Sequence, residues 1–147
     1  GEQLRVALPL LKSFGGVSVF KGPVKTLRVF EDNTLVRRTL ETPGEGRVLV
    51  VDGGGSHRCA LLGDQLAQLG LEHGWVGIVI HGCIRDRKVV SQIPIGVLAL
   101  STNPRRSVKQ GRGEEGVDLA ITGIAIRSGN WLYVDEDGFA VADQKLT

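Results

Sequence analysis

The chain has no methionine, only two cysteines and three histidines, and just 5% aromatic residues among its 147. His57, His73 and His81 lack metal-ligand spacing, so they read as structural or solvent-facing rather than as a zinc set. Cys59 and Cys83 lie in apolar surroundings and read as free buried thiols, not a disulfide. No apolar run approaches the roughly 20 residues that span a bilayer, and no membrane partner is expected. Gly1-Glu2-Gln3-Leu4-Arg5 is not a signal peptide, which points to a cytoplasmic protein. The missing initiator methionine suggests that an N-terminal segment precedes this sequence. Charge of one sign is also scarce in excess: 18 basic against 16 acidic residues leave +2. That balance gives no electrostatic case for nucleic acid.

What remains is 41% hydrophobic and 23% charged, the composition of a soluble globular chain rather than a disordered one. The length suits a single domain over 1–147, with a core built from Val, Leu, Ile and Ala. Glycine is abundant at 21 residues, so many tight turns and close backbone approaches are expected.

Residues 15–30 alternate apolar and polar positions around Gly22-Pro23, which predicts strand, turn, strand. Asp32 offers an N-cap to a short helix with Leu35, Val36 and Leu40 on one face, ended by Pro43-Gly44. Residues 47–51 read as a buried strand running into Asp52-Gly53-Gly54-Gly55-Ser56. Leu61, Leu62, Leu66, Leu69 and Leu71 predict a helix over 57–73, ending near Gly74. Residues 76–80 and 95–100 are further buried strands, and after Val117 the pattern turns to short strands and turns. Strand, helix, strand with short crossovers implies an α/β fold, a layered sandwich with a partly parallel central sheet.

Three places could carry chemistry. Asp52-Gly53-Gly54-Gly55 follows a strand, but Arg58 stands where a dinucleotide fingerprint needs its third glycine, and no GK[ST] follows. A methyltransferase would also want a glycine loop there, yet a tight turn beside a neighbouring element is the simpler reading. Gly63-Asp64-Gln65-Leu66 could present a helix N-terminus to a carboxylate, with Asp64 as an ordinary cap or exposed acid the alternative. Arg85-Asp86 comes just after an apolar strand, where parallel layers place ligands. Aspartate is a hard ligand for Mg²⁺ and arginine a planar fork for a carboxylate, although such a pair is often a surface ion pair. Residues 103–113 form the one basic stretch, either a solvated loop or a contact for an anionic substrate, a subunit or RNA.

Several of these motifs occur together in one order: residues 50–56, Gly63-Asp64-Gln65-Leu66, His81-Gly82-Cys83-Ile84-Arg85-Asp86, 95–100, 103–107 and 135–138. The set resembles the family named for the regulator of ribonuclease activity A, from about Lys12 to Asp143. That family includes metal-dependent 4-hydroxy-4-methyl-2-oxoglutarate aldolases. The resemblance implies a compact sandwich of the swivelling β/β/α type, usually a homotrimer with sites at subunit interfaces. It further implies that Gly63, Asp64, Gln65 and Leu66 cradle substrate, that Arg85 contacts it, and that Asp86 binds Mg²⁺ or Mn²⁺. The expected activity is cleavage of a hydroxy keto acid to pyruvate, with oxaloacetate decarboxylation as a side reaction, Arg85 and Asp86 being catalytic. One position departs: the family pattern Arg-Asp-x-x-Glu/Asp ends here in Val89, leaving one metal water less well oriented. A Schiff-base route is disfavoured, since none of Lys12, Lys21, Lys25, Lys88 or Lys109 sits in a buried apolar strand. The alternative function is a non-catalytic regulator that inhibits a ribonuclease.

Overall fold

A computed structural model describes residues 4–146, so the reading of Gly1, Glu2 and Gln3 as part of no signal peptide lies outside the described residues. The first half of the chain runs β1 (Arg5–Val6), β2 (Lys12–Ser13), β3 (Phe20–Arg28), α1 (Thr34–Leu40), β4 (Val48–Asp52), β5 (Ala60–Leu62), α2 (Asp64–Glu72) and β6 (Gly77–Ile84). The second half runs α3 (Arg87–Val90), β7 (Gly96–Thr102), β8 (Glu114–Glu115), β9 (Leu119–Ile121), β10 (Ile124–Ile126), β11 (Trp131–Asp135) and β12 (Gly138–Ala142). One mixed sheet follows the order β1-β12-β11-β3-β4-β6-β7-β2, with β5 joined to β6 and β8 to β3. Its centre, β3-β4-β6-β7, is parallel, as the strand, helix, strand pattern requires.

Both faces of that centre are covered. Leu49, Val51, Ile78 and Ile80 pack with Leu35, Val36 and Leu40 of α1 and with Leu66 and Ala67 of α2. Val48, Val50 and Val79 face the opposite way, against Leu119, Ile126, Leu132 and Val141. This double burial explains why 48–51 is a continuous apolar run, and each such side chain contributes about 1.5–3 kcal/mol. Among the described residues no helix is long and apolar enough to cross a membrane.

Three expectations fail, each for a physical reason. Gly22-Pro23 makes no turn but sits inside β3, which pairs antiparallel with β11 up to Pro23 and parallel with β4 from Val24. Val24 exchanges both its backbone bonds with the 129–130 turn, so the Pro23 nitrogen faces the β4 side before that pairing begins. Gly22 is required there for closeness, since a Cβ would lie 2.3 Å from the Gly46 carbonyl oxygen. The helix expected over 57–73 begins only at Asp64. Residues 60–62 are instead β5, which takes the edge of β6 at Cys83 and Ile84, beyond the part of that edge paired with β4. The turn at 53–55 makes room for this exchange, because the Gly53 and Gly55 N–H groups both donate to the His81 carbonyl. Asn33, not Asp32, occupies the N-cap of α1, although an Asp32 carboxylate oxygen still accepts the Thr34 N–H at 3.0 Å.

The β9–β10 hairpin turns through Thr122 and Gly123, both at positive φ (50° and 78°). A β-branched residue is strained there.

Candidate functional site

The first turn of α2 and the end of β6 meet at Gly63. Its bare α-carbon faces the carboxylate of Asp86: a Cβ would lie 2.7 Å from Oδ2 and 3.3 Å from the Arg85 Cγ and Nε. Asp86 reaches this position from a left-handed backbone (φ 59°, ψ 41°) at the N-cap of α3, a conformation that aspartate tolerates better than most residues. Its Oδ2 accepts the Asp64 N–H at 3.2 Å, so the first amide of α2 orients the carboxylate. The Asp64 carboxylate accepts the Gln65 N–H at 2.9 Å. Arg85 is fixed through its backbone, whose N–H donates to the Leu62 carbonyl at 2.9 Å. Its guanidinium has no acceptor among the described residues.

These groups open into one cavity of about 510 Å³. Gly63, Asp64, Gln65, Leu66, Arg85 and Asp86 all line it, so the residues singled out in the sequence converge. The opposite wall comes from α1 and the basic stretch: Asn33, Thr34 and Arg37, then Arg106, Ser107 and Lys109. Sequence reasoning left 103–113 open between a solvated loop and an anion contact, and it did not place α1 at the site at all. The density of basic residues was the one available signal.

Asp32 builds that wall. It is fully buried, and one carboxylate oxygen accepts the N–H groups of Gln110 (2.9 Å) and Arg112 (3.1 Å) while the other holds Thr34. Burial pushes its carboxyl up, but the donors from Thr34, Arg112 and Gln110 outweigh this and hold it at about 2. The Ser107 hydroxyl accepts the Asn33 N–H at 3.1 Å, and the Lys109 ammonium donates to Asn33 Oδ1 at 3.0 Å. The loop is thereby tied to the start of α1.

Other candidates fall away. The His81 ring faces Asp52, with Nδ1 3.8 Å from Oδ1, and takes no part in the cavity lining. The ring lies against the glycine turn instead, beside Gly55. Cys59 and Cys83 are free and buried, and burial pushes both thiols up, which suits inert core residues. Gly53 is closed by Leu61 and the His81 carbonyl and Gly54 by Phe30, so the glycine turn serves chain packing. Lys109 is exposed and hydrogen-bonded, not a desolvated amine. Val89 lies on a neighbouring groove with Gln68, Leu69 and Ile93, outside the main cavity lining.

Among the described residues no group of three or more His, Cys, Asp or Glu side chains forms. The donors present are therefore the Asp86 carboxylate, left open by the absence of a side chain on Gly63, with Asp64 beside it. That set fits a hard cation that keeps several waters, as Mg²⁺ and Mn²⁺ do, rather than a closed structural site.

The family described as RraA-like, Aldolase/RraA, matches residues 3–141. A Halorhodospira halophila protein provisionally named 4-hydroxy-4-methyl-2-oxoglutarate aldolase is 56% identical over 147 residues, covering 100% of this chain and 90% of that protein. An Arabidopsis thaliana protein with the same provisional name, numbered 3, is 51% identical and covers 98% of this chain and 87% of its own length. The solved structure of the RNA-processing inhibitor RraA from Thermus thermophilis matches with a TM-score of 0.97 and 46% identity, over 99% of this chain and 89% of that one. A Geobacillus kaustophilus structure described as S-adenosylmethionine:2-dimethylmenaquinone methyltransferase matches at 0.96 and 48%, over 99% and 90%. These names disagree about activity while the fold is shared, so the choice among them rests on the side chains in the cavity.

Proposed function

The chain belongs to the RraA-like family, and on that premise we propose that it is a divalent-metal-dependent carbon–carbon lyase cleaving 4-hydroxy-4-methyl-2-oxoglutarate, or a related hydroxy keto acid, to pyruvate. The observation that carries this reading is the Asp86 carboxylate, held against Gly63 and the first amide of α2 with Arg85 beside it in one cavity. The names of the relatives from Halorhodospira halophila and Arabidopsis thaliana support the same class of substrate.

Asp86 would hold Mg²⁺ or Mn²⁺, which when bound supplies Lewis-acid polarisation of the keto oxygen. Arg85, with no acceptor among the described residues, binds the carboxylate next to that keto group through its planar fork. The Gly63-Asp64-Gln65-Leu66 turn presents the positive end of α2 to the same carboxylate, from Leu66 onward because the Asp64 and Gln65 amides already donate to Asp86 and Asp64. Cleavage breaks the bond between C3 and the hydroxyl-bearing C4. The C4 hydroxyl loses its proton and becomes a carbonyl, the bonding pair passes to the keto-acid fragment, and protonation at C3 gives pyruvate. Arg85 stabilises the negative charge carried by that fragment. Oxaloacetate decarboxylation leaves the same fragment, so the site serves both reactions. The trimeric assembly and the cytoplasmic location belong to this reading too.

EDTA should abolish pyruvate release by the purified protein and added Mg²⁺ should restore it, followed in a lactate dehydrogenase-coupled assay. Full activity in EDTA would rule the metal route out.

A second reading is favoured by the Thermus thermophilis structure, described as an RNA-processing inhibitor. Such a protein would act through its surface and leave the cavity unused. Inhibition of a ribonuclease that survives loss of the Asp86 carboxylate would show the two properties to be separate.

A further inference from the structure

Four cationic side chains, Arg37, Arg85, Arg106 and Lys109, line a cavity that holds only two carboxylates, Asp64 and Asp86. The site thus has an excess of two positive charges before any cation binds, more than one substrate carboxylate requires. The partners of these cations single one out. Lys109 donates to Asn33 Oδ1, and Arg37 lies 3.4 Å from Glu41 while also lining the neighbouring groove. Arg85 stands at the metal-side wall. Arg106 alone of the far wall makes no side-chain hydrogen bond or ion pair among the described residues.

Its placement is fixed by the backbone. Residue 106 bridges to Ala60, and the Ala60 N–H donates to the Arg105 carbonyl at 2.8 Å, so this segment runs beside β5. On its other edge β5 pairs with β6, which delivers Arg85. Arg85 lies two residues beyond Cys83, which is level with Ala60, so the two arginines leave backbones two strand spacings apart and two residues offset, roughly 12 Å. The terminal carboxylates of a five-carbon keto diacid are separated by four carbon–carbon bonds, roughly 5 Å. Two arginine side chains from the strands flanking β5, with backbones roughly 12 Å apart, suit an anion of that length.

We infer that Arg106 is a specificity-determining residue that binds the far carboxylate of a keto diacid, opposite the carboxylate bound by Arg85. This rests on the lyase reading above. It means that the site selects for a second carboxylate and takes a monocarboxylate such as pyruvate without using Arg106. Asp32 enters as a positioning residue, because its carboxylate holds the 110–112 end of the same loop.

The test compares wild type with Arg106→Gln and Arg106→Lys, all with Mg²⁺. One measurement is KM and kcat for 4-hydroxy-4-methyl-2-oxoglutarate. The other is exchange of the pyruvate methyl protons in D₂O, followed by NMR, which involves no far carboxylate. The glutamine variant should raise KM roughly 10- to 100-fold, the size of one lost charge-assisted hydrogen bond, with kcat little changed and pyruvate exchange retained. The lysine variant, which keeps the charge, should recover part of the loss. An unchanged KM overturns the assignment, and so does a parallel fall in cleavage and exchange. If wild type itself shows neither reaction, the lyase reading fails first and this inference falls with it.

Discussion

Asp86→Ala should give a folded protein whose Mg²⁺-dependent pyruvate release is lower by roughly 10³-fold, the scale of losing a metal's stabilisation of developing charge. The carboxylate is exposed and its one hydrogen bond among the described residues is from the Asp64 N–H, so melting temperature should barely move. Relief of the left-handed backbone is no part of the effect, because alanine at φ 59° is no less strained than aspartate. Isothermal titration with Mn²⁺ gives an independent check: the site seen in wild type should vanish in the variant. Undiminished turnover would remove Asp86 from the mechanism, whatever the metal dependence of the wild type. Persistence of Mn²⁺ binding with lost turnover would instead move the cation to another residue.

Asp32→Ala should cost stability, and the cost should be large. The side chain is fully buried and accepts three backbone N–H groups, from Thr34, Gln110 and Arg112. Removing a charged acceptor and leaving those donors unpaired costs about 3 kcal/mol, or roughly 10 °C in Tm for a chain of this size. The pH dependence follows from the carboxyl held at about 2 against an ordinary value of 3.8. Because the folded value is the lower one, the stabilisation is complete above pH 4 and is lost as pH falls from about 4 through 2. Its size is about 2 kcal/mol. The variant should lack this part of the acid loss, so the two denaturation curves converge toward pH 2. Curves that stay parallel would show that Asp32 does not carry the effect.

The sequence was most readable where strands are buried on both faces. Residues 48–51 and 77–80 are continuous apolar runs because the parallel centre of the sheet is covered twice, and length with flanking glycines marks them as strands. Leu61 and Leu62 misled for the same reason. They are adjacent and both buried, which mimics a helix stripe, but a three-residue strand covered on both sides has the same signature. Pro23 reads as a break only while the strand is assumed to have one partner along its whole length. Among the described residues β1, β2 and β8 are two-residue pairings whose reason lies entirely in the partner strand.

The candidate site divides along similar lines. Gly63, Asp64, Arg85 and Asp86 sit at element ends, where chain order alone suggests a crevice. Asn33, Arg37, Arg106 and Lys109 are ordinary surface types in sequence, and only the fold brings them to the same cavity. The role of Asp32 was hidden by its position: before Asn33-Thr34 it looks like a cap, and nothing nearby announces two further amides from far along the chain.

Those amides lie 78 and 80 residues downstream of Asp32. During synthesis, α1 therefore emerges long before the groups that neutralise its buried acid. Until residue 112 has left the ribosome, Asp32 has only the Thr34 N–H and water to satisfy its charge, which disfavours early docking of that end of α1 against the growing sheet. The cavity consequently cannot close before residue 112 has emerged, and a nascent chain stalled short of the basic loop would lack a working pocket.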